Sequence, residues 1–275
     1  MLKFDMRKTT RTNATPEAPR SAVHGGEHQG IARIELILGA LAKNPGQGSR
    51  LVDVCAATGL HKTAAHRLLN GLVDYRLVDF DADLSRYFVG FKIFAWASAS
   101  GNRFGLARIA APSLSRLAKR FEDAVYLVLR SGDEVVCIDR VEGAFPIKTL
   151  SFNIGDSRPL GIGAAGAAIL AQLPDAEMQR ILAGNRDARA AYERMSNADL
   201  QEILRDARQK GHAFVEGKII PGMATVGAPI VLNNESPIAA ISVSAIEARM
   251  GRTRRAEIAA AIKHEIDQIT ESFRA

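Results

Sequence analysis

Five side chains that donate hydrogen bonds recur within the short stretch "KTAAHRLLNGL", from Lys62 to Leu72. The apolar residues between them repeat at the i, i+3, i+4, i+7 spacing of one helical face, so the polar set must lie on the opposite face. Arginine can fork onto O6 and N7 of guanine, and asparagine can bridge N6 and N7 of adenine. The pattern therefore predicts a helix that reads double-stranded DNA through five residues: Lys62, Thr63, His66, Arg67 and Asn70.

The elements around this helix, itself predicted over residues 63–72, follow from the same kind of spacing. Helices are predicted over Ile31–Lys43 and Leu51–Ala57, and a turn at Gly59 joins the second helix to the third. Two short runs of β-forming residues, Leu77–Phe80 and Arg86–Val89, then flank a turn and predict a hairpin. The order is that of a winged helix-turn-helix domain, whose second motif helix lies in the major groove.

This predicted domain covers residues 30–90, and its wing adds one more cation. Arg86 lies on the second wing strand and is predicted to reach backbone phosphate. The start of the third helix, near Lys62, attracts phosphate through its N–H groups and its dipole. Two alternatives stay open: a helical hairpin whose polar face is merely solvated, and a solvated Arg86.

Residues 91–121 are predicted to form helical linkers that support oligomerisation. Breaks are expected at three places: Gly101-Asn102, Gly105 and Pro112. One face carries a stripe of apolar and small residues: Phe91, Phe94, Ala95 and Ser98. Such a face needs a partner, either a helix of a second subunit or another part of this chain.

The period changes beyond residue 121, where short β-rich runs appear. Strands are predicted over Ala124–Arg130, Glu134–Val141, Ala213–Val215, Thr225–Val231 and Pro237–Ser244. Helices are predicted over Gly163–Leu173, Asp175–Ala183, Asn197–Lys210 and Thr253–Phe273. Strands at both ends with helices between them predict an α+β domain over residues 122–275, with an antiparallel sheet covered by helices.

The bulk properties narrow the class of protein. An apolar fraction of 47% supports packed cores, and a formal charge of +6 fits a nucleic-acid partner without requiring one. Residues 1–29 are polar and are predicted to be a disordered arm. Cys55 and Cys137 lack metal-site spacing and are expected to be buried apolar residues. With no transmembrane or secretory pattern, we expect a cytoplasmic protein without a membrane partner, metal or cofactor.

Several stretches, in order, resemble the IclR-type bacterial transcription regulators. "LVDVCAATGLHKTAAHRLLNGLVDYRLVDFDADLSRYFVGFKI" is similar to the DNA-binding domain of that family, and three later stretches are similar to its effector-binding domain: "GDEVVCIDRVEG", "GDSRPLGIGAAGAAILA" and "GAPIVLNNESPIAAISVSA". The resemblance runs from about residue 30 to the end. It implies a winged helix-turn-helix, a linker helix and a GAF-like effector domain. It also implies operator DNA as partner, a homodimer or tetramer, and a small organic or aromatic acid as effector.

The resemblance also implies an effector cleft between the sheet and its covering helices. The residues carried over to it are Gly161, Ile162, Gly163, Ala164, Ala165, Met223, Thr225, Ser242 and Ser244. The chain departs from the family where His61 replaces proline, Phe88 replaces a polar wing residue, Gly161–Gly163 replace His-Ala-Thr, and Thr225-Val226 replace Cys-Ile.

The run G-I-G-A-A-G, Gly161–Gly166, has the spacing of a dinucleotide-binding loop, but the segment before it, Gly155–Pro159, is expected to be a turn and not a parallel strand. We expect these glycines to serve close helix packing. No nucleophile elbow, HExxH or P-loop pattern is present, so no catalytic residue is predicted. Two rivals remain open: an enzyme whose N-terminal helices only oligomerise, and a regulator whose C-terminal domain no longer senses a ligand.

Overall fold

The computed structural model describes residues 28–44, 46–99, 105–148, 152–232 and 236–274. The polar arm predicted over residues 1–29 therefore lies outside the described residues, except for its last two positions. The break predicted at Gly101-Asn102 lies outside them as well.

The N-terminal domain contains three helices and a two-stranded wing. Its elements are α1 (Gln29–Ala42), α2 (Leu51–Thr58), α3 (Lys62–Asp74), β1 (Val78–Asp81) and β2 (Arg86–Val89). β1 and β2 pair in an antiparallel hairpin, in the register Val78 to Val89. Side chains from all three helices and both wing strands share one core, so the elements predicted from periodicity form a winged helix-turn-helix.

The turn between α2 and α3 depends on Gly59. This residue has φ +70°, and its N–H donates to the carbonyl of Cys55, which closes α2 with a left-handed cap. Glycine adopts this conformation without steric cost, so the turn predicted at Gly59 has its expected chemistry.

Two helices lead from the wing into the second domain: α4 (Phe91–Ala99) and α5 (Gly105–Phe121). The break predicted at Pro112 was wrong, because α5 continues through this residue. A proline inside a helix loses the hydrogen bond to the carbonyl four residues earlier. Here the buried face of α5, which includes Leu106, Leu114 and Leu117, packs into the core and outweighs that loss.

A six-stranded antiparallel sheet forms the centre of the second domain. Its strands are β3 (Ala124–Ser131), β4 (Glu134–Val141), β5 (Ser157–Pro159), β6 (Ala213–Glu216), β7 (Met223–Ile230) and β8 (Ala239–Ile246), in the spatial order β5-β4-β3-β8-β7-β6. The segment expected to be a turn contributes β5, an edge strand antiparallel to β4. Proline is tolerated there because an edge strand need not donate every ladder bond.

Helices cover both faces of this sheet. They are α6 (Gly163–Ala171), α7 (Asp175–Gly184), α8 (Arg186–Ala190), α9 (Asn197–Lys210) and α10 (Arg252–Arg274). One apolar core lies between the sheet and α6, α7 and α9, and another lies between the sheet, α5 and α10. The α+β class is therefore confirmed. The short helix α8 was not predicted. Within the described ranges, no helix is both long and apolar enough to span a bilayer.

Candidate functional site

The first candidate site is the outer face of α3. Ala65, Leu69 and Leu72 are buried and Leu68 is half-buried, which fixes the rotation of the helix. All five predicted DNA-reading residues are consequently exposed: Lys62, Thr63, His66, Arg67 and Asn70. His61 occupies the N-cap without a side-chain hydrogen bond to the helix, so it does not compete for the N–H groups of the first turn. Those groups can bind a phosphate.

Arg86 has an intramolecular role that the sequence did not predict. Its Nη1 donates to the backbone carbonyls of Gln47 and Gly48, each at 3.0 Å, and so ties the wing to the loop between α1 and α2. The ring of Phe88 packs against Gly48, where a Cβ would lie only 2.5 Å from Cζ. The aromatic departure from the family pattern therefore supports this loop. A phosphate contact by Arg86 stays a prediction.

The second candidate site is a cavity between the sheet and the start of α6. Its volume is about 60 Å³. A single water needs roughly 10–15 Å³ by this measure, so the cavity has room for several waters or a small organic molecule. Residues of β3, β4, β5, β6, β7 and β8 line it together with Phe152, Ile162, residues 163–166 of α6, Ile219 and Ile220.

Eight of the nine residues carried over from the resemblance line this cavity: Ile162, Gly163, Ala164, Ala165, Met223, Thr225, Ser242 and Ser244. Gly161 is not among the lining residues. Its φ is +102°, and a Cβ there would lie 3.1 Å from Leu170, so glycine is needed for the turn into α6. α6 begins at Gly163, so Gly161 and Ile162 precede the helix.

The close approach of α6 to the sheet depends on Gly227 of β7. A Cβ on Gly227 would lie 2.8 Å from the carbonyl carbon of Ala164 and 2.8 Å from the nitrogen of Ala165. Only a residue without a side chain lets the helix start rest this closely on the strand. Gly166 allows a second close contact, because its Cβ would lie 3.3 Å from the nitrogen of Gly161 in the turn before α6. Within the G-I-G-A-A-G run, Gly166 therefore serves packing, as predicted, whereas Gly161 and Gly163 adopt the positive φ values of the turn into the helix.

The polar groups of the cavity wall are few. The hydroxyls of Thr225 and Ser244 lie 2.9 Å apart on neighbouring strands and share a hydrogen bond. Ser242 lies one alternation away on β8 and is 4% exposed. These hydroxyls can orient a polar ligand, while Met223, Ile219 and Ile220 supply an apolar wall.

Arg158 is a cavity residue that sequence reasoning missed. It lies on β5, its guanidinium carbon is 4.2 Å from the centre of the Phe152 ring, and its Nη1 is 3.9 Å from where a Cβ on Gly163 would lie. Burial lowers the pKa of Arg158 from its ordinary value. Tyr126 of β3 was also missed, although period-2 alternation with Ala124 and Val128 places it on the cavity face. Arg158 was missed because its edge strand, β5, has only three residues and is too short to show a periodic pattern.

Known proteins match both domains in order. The family described as "IclR helix-turn-helix domain" matches residues 30–82, and the family described as "Bacterial transcriptional regulator IclR C-terminal" matches residues 99–271. The HTH-type transcriptional regulator KipR of Bacillus subtilis is 27% identical over 226 residues, which cover 81% of this chain and 89% of that protein.

Two further proteins extend the similarity over almost the whole chain. The transcriptional repressor IclR of Escherichia coli is 26% identical over 271 residues, 97% of this chain and 96% of that protein. The crystal structure of an IclR homologue from Microbacterium hydrocarbonoxydans is 17% identical, with a TM-score of 0.69, and covers 89% of this chain and 99% of that one. Because the matched families span both domains, the chain belongs to the IclR family of bacterial transcriptional regulators.

Proposed function

We propose that this protein binds operator DNA through α3 and that a small molecule in the cavity between α6 and the sheet changes its operator affinity. The observation that carries the first part is the outer face of α3, where five hydrogen-bond donors are exposed on the second helix of a helix-turn-helix. We assign Arg67 and Asn70 to base edges, and Lys62, Thr63 and His66 to bases or phosphates. The protein acts as a regulator and not as an enzyme, in the cytoplasm, where the chromosome lies.

A homo-oligomer with two DNA-binding domains is part of this proposal. α4 exposes three large rings in the single chain: Phe91 is 72% exposed, Phe94 64% and Trp96 57%. Isolated exposed apolar residues are common on protein surfaces, but three within two helical turns favour a partner helix. A symmetric pair of α4 helices would place two copies of α3 on half-sites about one DNA turn, roughly 34–36 Å, apart.

The effector part of the proposal rests on the cavity. The wall combines apolar side chains with a few hydroxyls and one arginine, as small-molecule sites commonly do. The Microbacterium homologue is described as complexed with 4-hydroxybenzoate, which supports a small organic acid as the class of effector. The effector acts only through its unequal affinity for conformations of the oligomer that differ in the spacing of the DNA-binding domains.

The test is selection of bound fragments from genomic DNA by the purified protein, followed by footprinting of the recovered site. We expect a palindromic site. Arg67→Ala should weaken binding to it by about 1–3 kcal/mol, or roughly 5- to 150-fold, if Arg67 forks onto a base.

The control is Arg205→Ala, which removes the same charge from the exposed face of α9 and should leave the operator affinity nearly unchanged. A uniform loss on all DNA sequences would make Arg67 a phosphate contact. Absence of any site at low salt, where electrostatic binding is strongest, would refute the DNA-binding function.

A further inference from the structure

The cavity wall has an uneven distribution of charge. Among the described residues that line it, Arg158 carries the one formal charge, and the others are apolar, aromatic or hydroxyl-bearing. No carboxylate belongs to that lining set. A cation on the wall of a cavity, where its contact with bulk water is reduced, attracts an anion more strongly than the same cation on an open surface, because the effective dielectric constant is lower.

The surroundings of Arg158 fix where such an anion would lie. The backbone of Arg158 pairs with Val135 of β4, which also lines the cavity, so the strand anchors the base of the side chain. The guanidinium lies 4.2 Å over the Phe152 ring, which restrains its plane. Its Nη1 points near Gly163, the first residue of α6, where the helix dipole also favours negative charge.

We propose that Arg158 is the specificity-determining residue of this cavity and holds the carboxylate of a small organic acid. This inference rests on the proposed function, in which the cavity is the effector site. A guanidinium has five N–H donors in a planar fork, and two of them in parallel match the two oxygens of a carboxylate. The Thr225–Ser244 hydroxyl pair is a second, uncharged contact for the body of the acid.

The test compares acids with their amides, which have nearly the same shape but no charge. The probes are acetate, lactate, benzoate and 4-hydroxybenzoate, each against its amide and against inorganic phosphate, with the full chain followed by thermal unfolding and calorimetric titration. We expect at least one acid to raise the melting temperature and its amide to have no effect. This comparison needs no variant and so does not depend on the folding of one.

Variants then assign the effect to the residue. Arg158→Gln should lower the affinity for the active acid by roughly 10- to 100-fold, since a charge-assisted hydrogen bond is lost, and Arg158→Lys should retain part of it. The control Arg180→Gln removes an exposed guanidinium that pairs with Asp133 outside the cavity, and should bind the acid like the native chain.

Four results would overturn the inference: amides that bind as well as acids, no response to any acid, a response to phosphate alone, or full affinity in Arg158→Gln. Operator binding without any acid separates this inference from the proposed function. If the operator is bound but the acids fail, only the role of Arg158 is lost. If no operator is bound at low salt, the proposed function fails whatever the acids do.

Discussion

A methyl group on Gly227 should push α6 off the sheet. The added Cβ would lie 2.8 Å from two backbone atoms of α6, whereas ordinary contacts begin at 3.4 Å, so the helix start must move by roughly 0.6 Å. Backbone atoms have no alternative rotamer, and α6 is buried along nearly its whole length. Overpacking of this kind costs about 1–3 kcal/mol, so Gly227→Ala should lower the free energy of unfolding by that amount.

Urea unfolding followed by circular dichroism measures this loss. The melting temperature should fall by about 2–4 °C per kcal/mol for a domain of this size. The control is Gly251→Ala in the same domain, where a Cβ meets nothing within 4 Å and φ is not positive. We expect the control to lower stability by less than about 1 kcal/mol, because Gly251 precedes α10 and alanine is a poorer N-cap than glycine. If Gly227→Ala is no worse than the control, the contact between α6 and β7 does not constrain the domain as argued.

Two further predictions concern buried and exposed carboxylates. The Asp123 side chain is 2% exposed and accepts from Arg249 at 3.1 Å and from Arg254 at 2.8 Å, so Asp123→Asn should cost about 2–3 kcal/mol in urea unfolding. The control is Asp175→Asn, because the ion pair of Asp175 is exposed. A loss below about 1 kcal/mol for both variants would contradict the prediction for Asp123. Lys218 and Ser196 hold the pKa of the Asp199 carboxyl at about 2. Because this pKa is depressed, the stabilisation is present above the ordinary value near 4 and is lost as pH falls through about 2. A carboxyl NMR titration should show that midpoint, and Lys218→Ala should raise it; a native midpoint near 4 would contradict the prediction.

Local periodicity in the sequence predicted most of the elements. The i, i+3, i+4, i+7 pattern of α3 fixed which side of that helix is exposed, because rotation of an amphipathic helix is determined by its apolar face alone. The β-rich runs on either side of a turn predicted the strands β3 and β4. Gly59 predicted the turn between α2 and α3, because glycine adopts a positive φ without steric cost. The candidate DNA-reading residues therefore needed only the sequence.

The prediction of the cavity depended on the family resemblance, because the cavity itself is formed by contacts between distant segments. Eight carried-over residues line it, yet no local pattern in the sequence brings Ser242, Thr225 and Gly163 to one place. The continuation of α5 through Pro112 was likewise decided by packing, since the energy of a buried helix face exceeds that of one lost hydrogen bond.

The sequence by itself determined the period of each long element and the face that the third helix presents. Only the tertiary structure decided that Arg158 lies in the cavity and that Arg86 bonds to the chain's own backbone. The physical reason is the same in both cases. Arg86 takes its role from carbonyl groups 39 and 38 residues away, and Arg158 takes its role from a cavity that distant strands such as β7 and β8 help to form. The approach of these segments is set by sheet pairing and helix packing that no local spacing encodes.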